Sequence, residues 1–303
     1  MVRCCTCDWG IWHDARMTTA PNSAPARLRP GTLITVAPTG AETAKDAFPA
    51  LPTTIAELVE TAVRCETAGA AMIHLHIRDS EHKPTLEPTR LKEAVTAVRE
   101  STTLVVQLST GGSVHDPLDQ RLKVLDAEPD SCSLTVGTTN FGDDVFLNPW
   151  PFVCDLYQLS QERAVVPEFE LFDLGQVAAL HRLLDTYGLP FGGRVHCDFV
   201  MGVAGGMPGT TAALVAGVQA LPAAVTSWSA TGIGRTSLAV ALASLSQGGH
   251  LRVGMEDTLS FARGVPVSHN ADLVERAASL AALSQRPVMS TDKARDLLQV
   301  KAR

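Results

Sequence analysis

Apolar and polar positions alternate in eight short runs along the chain. They are LITVAP (33–38), AMIHLHI (71–77), TLVVQLS (103–109), SCSLTV (131–136), AVVPEFELF (164–172), GRVHCDFV (193–200), AVTSWSA (224–230) and HLRVGM (250–255). They recur about once every thirty residues, and the segments between them carry apolar residues at helical spacing. The clearest is Ile55, Leu58, Val59, Ala62 and Val63, where Thr54 and Glu57 form a capping-box pattern and Gly69 is a stop signal. Leu91, Val95 and Val98 repeat the spacing after the second run; Leu273, Val274, Ala277, Ala278 and Ala281 repeat it after the eighth. Parallel strands need crossover helices, and eight strand-then-helix units can close a sheet on itself, so the pattern predicts a (β/α)8 TIM barrel. An open doubly wound sheet is the alternative.

Length and composition narrow the function. The chain has 303 residues, 45% of them hydrophobic and 19% charged, enough for a sizeable core. No Pro/Gly/Ser linker divides 31–303, which reads as a single (β/α)8 domain. Residues 1–30 end in MTTAPNSAPARLRPG and read as a disordered extension, with Met17 an alternative start. Cys4, Cys5, Cys7 and His13 suggest a metal-binding tail only weakly, because a second ligand pair is missing. Cys65, Cys132, Cys154 and Cys197 sit among apolar neighbours as core fillers. Without a membrane-length apolar run or a secretory signal core, the expected location is cytoplasmic. A net charge of -7 excludes a broad basic face for nucleic acid and favours small-molecule chemistry.

The chemistry concentrates at the ends of the runs. In AMIHLHIRD, His74, His76 and Arg78 share one strand face, and two imidazoles at i and i+2 can reach one metal ion from the same side. Satisfied core histidines are the competing reading. Glu256 and Asp257 follow the eighth run, and a barrel delivers every strand end to one face, so a carboxylate can join the histidines. Thr39, Gly40 and Glu42 follow the first run, Ser109-Thr110-Gly111-Gly112 the third. Glu170 lies inside an apolar run, where a carboxylate needs a cation, a hydrogen-bond network or a substrate. The loops GVAGGMPGT (202–210) and ATGIGR (230–235) are glycine-rich and lead into helices, offering backbone N–H groups to an anion.

The motifs TVAPTGAE, GAAMIHLHIRD, VVQLSTGG, NFGDD, VVPEFELFDLG, FVMGVAGGMPG, GIGR and GGHLRVGMEDT, in this order, resemble the β-keto acid cleavage enzymes, the family of 3-keto-5-aminohexanoate cleavage enzyme. The resemblance implies a Zn-dependent barrel that reacts a 3-keto acid with acetyl-CoA to give acetoacetate and a new CoA thioester, in a homo-oligomer. It implies Zn ligands at His74, His76 and Glu256 and functional polar residues at Ser109, Glu170, Arg252 and Asp257. Substrate contacts are implied at Glu42, Ser109, Thr110 and Ser133; Ser133 stands where the lysine-fermentation member has Thr. Asp257, oriented by Arg252, suits removal of the C2 proton. A carboxylate at position 42 favours a cationic keto acid of the 3-keto-5-aminohexanoate or betaine type. Two other classes stay open. A metal-dependent hydrolase of the amidohydrolase type would want a Lys on the fourth strand, and SCSLTVGTTN has none; a non-catalytic CoA- or metabolite-binding regulator would be expected to lose a ligand or the acid/base pair.

Overall fold

A computed structural model describes residues 31–301. The Cys4, Cys5, Cys7 and His13 cluster, Met17 and the extension lie outside these residues. In chain order the elements are β1 (Ile34–Val36), α1 (Ile55–Ala68), β2 (Met72–Leu75), α2 (Pro88–Ser101), β3 (Val105–Leu108), α3 (Leu118–Lys123), β4 (Ser131–Thr135), β5 (Thr139–Phe141), β6 (Asp144–Phe146), α4 (Trp150–Glu162), β7 (Val166–Leu171), α5 (Leu174–Tyr187), β8 (Val195–Met201), α6 (Thr211–Ala220), β9 (Val225–Gly232), α7 (Ser237–Gln247), β10 (His250–Val253), β11 (Ser260–Ala262), β12 (Val265–Pro266), α8 (Asn270–Leu283) and α9 (Thr291–Leu298).

Eight parallel strands close in the order β1-β10-β9-β8-β7-β4-β3-β2. Closure is carried by β1, where Thr35 sits level with Arg252 on one side and Met72 on the other. This is the (β/α)8 barrel the alternation predicts; the open sheet is excluded. Helix α1 begins with the expected capping box, Glu57 N donating to Thr54 Oγ1 at 3.2 Å and Thr54 N to Glu57 Oε2 at 2.9 Å. It ends at Gly69, whose φ of 109° favours glycine.

Outward strand residues such as Ile73, Leu75, Val106, Leu108, Phe169, Leu171 and Phe199 are fully buried against the helices. Each contributes about 1.5–3 kcal/mol over leaving it exposed. The four described cysteines are free and buried. Inside the barrel, Leu33, Met72, Val105 and Val166 plug the lower end together with Ala294 and Leu298 of α9. No helix among the described residues is long and apolar enough to cross a membrane.

Two hairpins were not visible in the sequence pattern. β5 pairs with β6 around Gly142, at a φ of 67°, and β11 pairs with β12. Each strand is three residues or fewer and largely exposed, too short for alternation to show.

Above its apolar plug the lumen is polar. Glu168 Oε2 faces His196 Nε2 at 3.2 Å, and Thr231 donates to Asp198 Oδ2 at 2.6 Å. Burial, reinforced by the charge of Glu168, pushes the Asp198 carboxyl up to about 7 from the usual 3.8. The folded protein therefore holds this proton more tightly than the unfolded chain. The contribution of Asp198 to stability is lost as pH rises from about 4 to about 7 and is constant above that. Asp198→Asn, which keeps an acceptor for Thr231, is expected to gain melting temperature over wild type progressively from pH 5 to about pH 7 and to hold that gain at pH 8. Thermal unfolding across that range checks this; a difference independent of pH contradicts it.

Candidate active site

Strand ends at the C-terminal mouth bring the chemistry-bearing residues together. His74 is an inward residue of β2, and His76 follows two positions on, beyond the strand end. Glu256 and Asp257 follow β10 on the turn after Gly254. His74 Nε2 and His76 Nε2 each lie 3.6 Å from Glu256 Oε1, and one donor atom from each of the three residues falls within 4.8 Å of the others. Gln107 Oε1 meets His74 Nδ1 at 2.5 Å, which places the ring proton there and leaves the Nε2 lone pair facing Glu256. Burial, aided by the Arg252 charge, lowers the His74 pKa to about 4, so the ring is neutral. Glu256 Oε2 is buried with no hydrogen-bond partner. Two imidazoles and a carboxylate with an unused oxygen suit a divalent cation.

Arg252, the inward residue of β10, ties the carboxylates into one unit. Its Nη1 donates to Glu170 Oε1 at 3.0 Å, and its Nη2 donates to Asp257 Oδ1 at 3.1 Å and to Glu256 Oε1. Burial works against the guanidinium's charge, but Asp257, Glu256 and Glu170 hold it firmly protonated. Asp257 Oδ2 is left buried and unpartnered. Burial raises the pKa of Glu170 and the Arg252 charge pulls the other way, while Thr135 Oγ1 donates to Glu170 Oε2 at 2.8 Å. Gln107 and Thr135 escaped the sequence reading. Each lies two residues from a site residue or candidate on its own strand, Gln107 before Ser109 and Thr135 after Ser133, so extending the inward alternation would have found both.

These groups share a cavity of about 220 Å³. Its floor and one side are His74, His76, Ser109, Glu170, Arg252, Glu256 and Asp257, with Glu42 at the rim. The other side is apolar. Phe141, Phe146 and Phe172 meet edge to face with centroids 6.1–6.4 Å apart, and Val114, Val200, Val203 and Ile233 complete that wall. Arg121 backs Phe146, its guanidinium 4.8 Å from the ring centroid. A β-carbon at Gly111 would lie 3.0 Å from Phe146 Cζ and 3.3 Å from Ser109 Oγ, so the ring edge and the hydroxyl face each other across a space one methyl would fill. Gly40, at a φ of 63°, holds the β1 loop against Glu256, where any β-carbon would press on the carboxylate's own stem.

Not every candidate reaches the cavity. Thr110 and Ser133 are buried behind its wall, the Thr110 hydroxyl donating to the Ser133 carbonyl at 2.6 Å. Arg78, on the histidine face in sequence, hooks the β1 loop instead, donating to Gly40 O at 2.7 Å and Thr43 O at 3.0 Å. Glu42 is exposed on that loop. Lys45, its nearest cation in sequence, is taken by Glu57 at 2.7 Å.

A family model described as beta-keto acid cleavage enzyme matches residues 32–300. The chain belongs to this family. It is an enzyme that cleaves carbon–carbon bonds in beta-keto acids. Similar curated proteins include "3-keto-5-aminohexanoate cleavage enzyme" of Acetoanaerobium sticklandii, 35% identical and covering 88% of this chain and 98% of that one. Another is "3-oxoadipate:acetyl-CoA acetyltransferase" of Cupriavidus necator, 34% identical and covering 88% and 94%. Among solved structures, "Apo structure of ObcA" superposes with a TM-score of 0.73 at 20% identity, over 84% of this chain and 66% of that longer one, and shows the same barrel. The curated family members differ in the substrate their names give, so membership leaves the keto acid of this chain open.

Proposed function

We propose that this family member is a zinc-dependent acyltransferase that converts a 3-keto acid and acetyl-CoA into acetoacetate and the acyl-CoA of the remaining chain. The observation that carries this is the placement of the His74, His76 and Glu256 donors in one cavity with the Arg252-bound carboxylate of Asp257. The relatives named as acetyl-CoA transferases support the co-substrate. No lysine lines the cavity, which disfavours the amidohydrolase reading.

Zinc held by the three side chains would act as a Lewis acid toward the oxygens of the keto acid and make its C2 protons more acidic. Asp257 takes a C2 proton on its free Oδ2 while Arg252 fixes Oδ1 and keeps the carboxylate aimed. The C2 carbanion attacks the acetyl carbonyl and expels CoA thiolate. That thiolate attacks the original C3 ketone, the C2–C3 bond breaks, and Asp257 returns the proton to C2 of acetoacetate. Ser109 offers a hydroxyl to a carbonyl oxygen, and Thr135 holds Glu170 in place beside Arg252.

Glu42 argues for a cationic tail on the keto acid. With Lys45 engaged elsewhere, the carboxylate stands at the rim without an ion-pair partner among the described residues, although the Arg78 charge lies near enough to be felt. Incubation with acetyl-CoA and cationic, neutral and dicarboxylic 3-keto acids should yield acetoacetate fastest from the cationic one. Glu42→Gln should lower kcat/KM for that acid by about 10-fold, and for a neutral acid by far less. A wild-type preference for the dicarboxylate contradicts the tail assignment, and no acetoacetate from any acid contradicts the reaction.

A further inference from the structure

Three glycines of the loops after β8 and β9 are explained by close packing on one residue. A β-carbon at Gly202 would lie 2.7 Å from Thr236 Oγ1, one at Gly209 would lie 2.5 Å from Thr236 Cβ, and one at Gly232 would lie 2.7 Å from the Thr236 carbonyl oxygen. The two loops are thus locked around one threonine, which itself donates to Ile233 O at 2.8 Å. The lock has three consequences at the cavity. Val203 and Ile233 become part of its apolar wall. Gly234 N donates to the backbone carbonyl of Asp257 at 2.7 Å, joining the loop to the catalytic turn. Arg235, two residues past Ile233, is exposed and has no hydrogen-bond or ion-pair partner among the described residues.

Four other cations near this mouth are engaged. Arg252 serves three carboxylates, Arg78 serves the Gly40 and Thr43 carbonyls, Lys45 is held by Glu57, and Arg121 donates to Thr110 O at 2.7 Å. The cavity itself carries four carboxylates and the chain a net charge of -7, so a polyanionic co-substrate approaches against repulsion unless a free cation meets it. We propose that these loops form the docking ramp of the acyl-CoA, with Val203 and Ile233 covering the apolar part of the pantetheine arm and Arg235 binding its phosphates. A guanidinium suits phosphate because its planar N–H fork bonds two oxygens at once, and an exposed one gives up no other partner to do so. The proposal rests on the acyl-CoA chemistry above.

The test compares acetyl-CoA with acetyl-S-N-acetylcysteamine, which keeps the thioester and lacks every phosphate. In Arg235→Ala, kcat/KM for acetyl-CoA relative to the short thioester is expected to fall by about 10-fold. The change should sit in KM for acetyl-CoA and not in KM for the keto acid, with Arg235→Lys recovering part of it. An unchanged ratio overturns the ramp, as does a rise in KM confined to the keto acid, which would mark Arg235 as a contact for the acid's tail. Calorimetric titration with CoA separates this proposal from the reaction. CoA binding that weakens in Arg235→Ala supports the ramp even if wild type makes no acetoacetate, and failure of wild type to bind CoA overturns it.

Discussion

Replacing His74 or Glu256 by alanine is expected to abolish binding of the proposed zinc and to lower turnover by on the order of 10³-fold or more. Each side chain supplies one of three donors, and the Glu256 Oε1 atom faces both imidazoles at 3.6 Å. Losing one leaves a bidentate site that cannot hold the ion at ordinary free concentrations. Gln107→Leu should act more gently on the same property. It removes the acceptor that fixes the His74 proton on Nδ1, so metal affinity should fall by about 10- to 100-fold while saturating zinc restores activity. Elemental analysis alongside turnover checks both. Full activity in metal-free protein, or a His74→Ala enzyme that retains zinc, would refute the donor set.

The second large effect is expected at Arg252. Arg252→Met fills similar space but leaves the Glu170, Glu256 and Asp257 carboxylates crowded in the barrel mouth without their shared cation. Breaking a buried pair from one side costs about 3–5 kcal/mol, equivalent to roughly 10 °C of melting temperature in a domain of this size. The loss should be larger at pH 8 than at pH 5. At the lower pH the orphaned carboxyls can take up protons, whereas at the higher pH they must ionise against one another. Catalysis should fall too, since Asp257 loses the group that aims it. Thermal unfolding of apo and zinc-loaded protein at both pH values reads this out; a melting temperature within 2 °C of wild type at pH 8 would show that Arg252 is not the electrostatic keystone of the site.

The barrel was legible because its strands are buried on the helix side and alternate sharply, as Ile73, Leu75 and Ile77 do against His74 and His76. The same alternation exposed the candidate metal donors, since two imidazoles on an inward face ask for a ligand. Sequence could not show that Arg252 bonds Glu170 across the mouth, because they lie on strands β10 and β7, 82 residues apart. It also missed the aromatic wall. Phe141 and Phe146 sit on a hairpin of three-residue strands whose shape comes from Gly142 and from packing on the β8 loop, where Gly142 N donates to Ala204 O at 3.0 Å. The glycine-rich loops suggested an anion cradle of backbone N–H groups. The structure packs three of those glycines, Gly202, Gly209 and Gly232, around Thr236 and leaves a side chain, Arg235, exposed two residues past Ile233 of the cavity wall.

In the proposed reaction the acetyl group of acetyl-CoA ends up in acetoacetate and the far end of the keto acid on CoA. It is tested most directly with acetyl-CoA carrying ¹³C in both acetyl carbons and an unlabelled 3-keto acid, with both products read by mass spectrometry. The mechanism puts both labels in C3 and C4 of acetoacetate and none in the new acyl-CoA. Unlabelled acetate or acetoacetate formed while the label stays on CoA would contradict it.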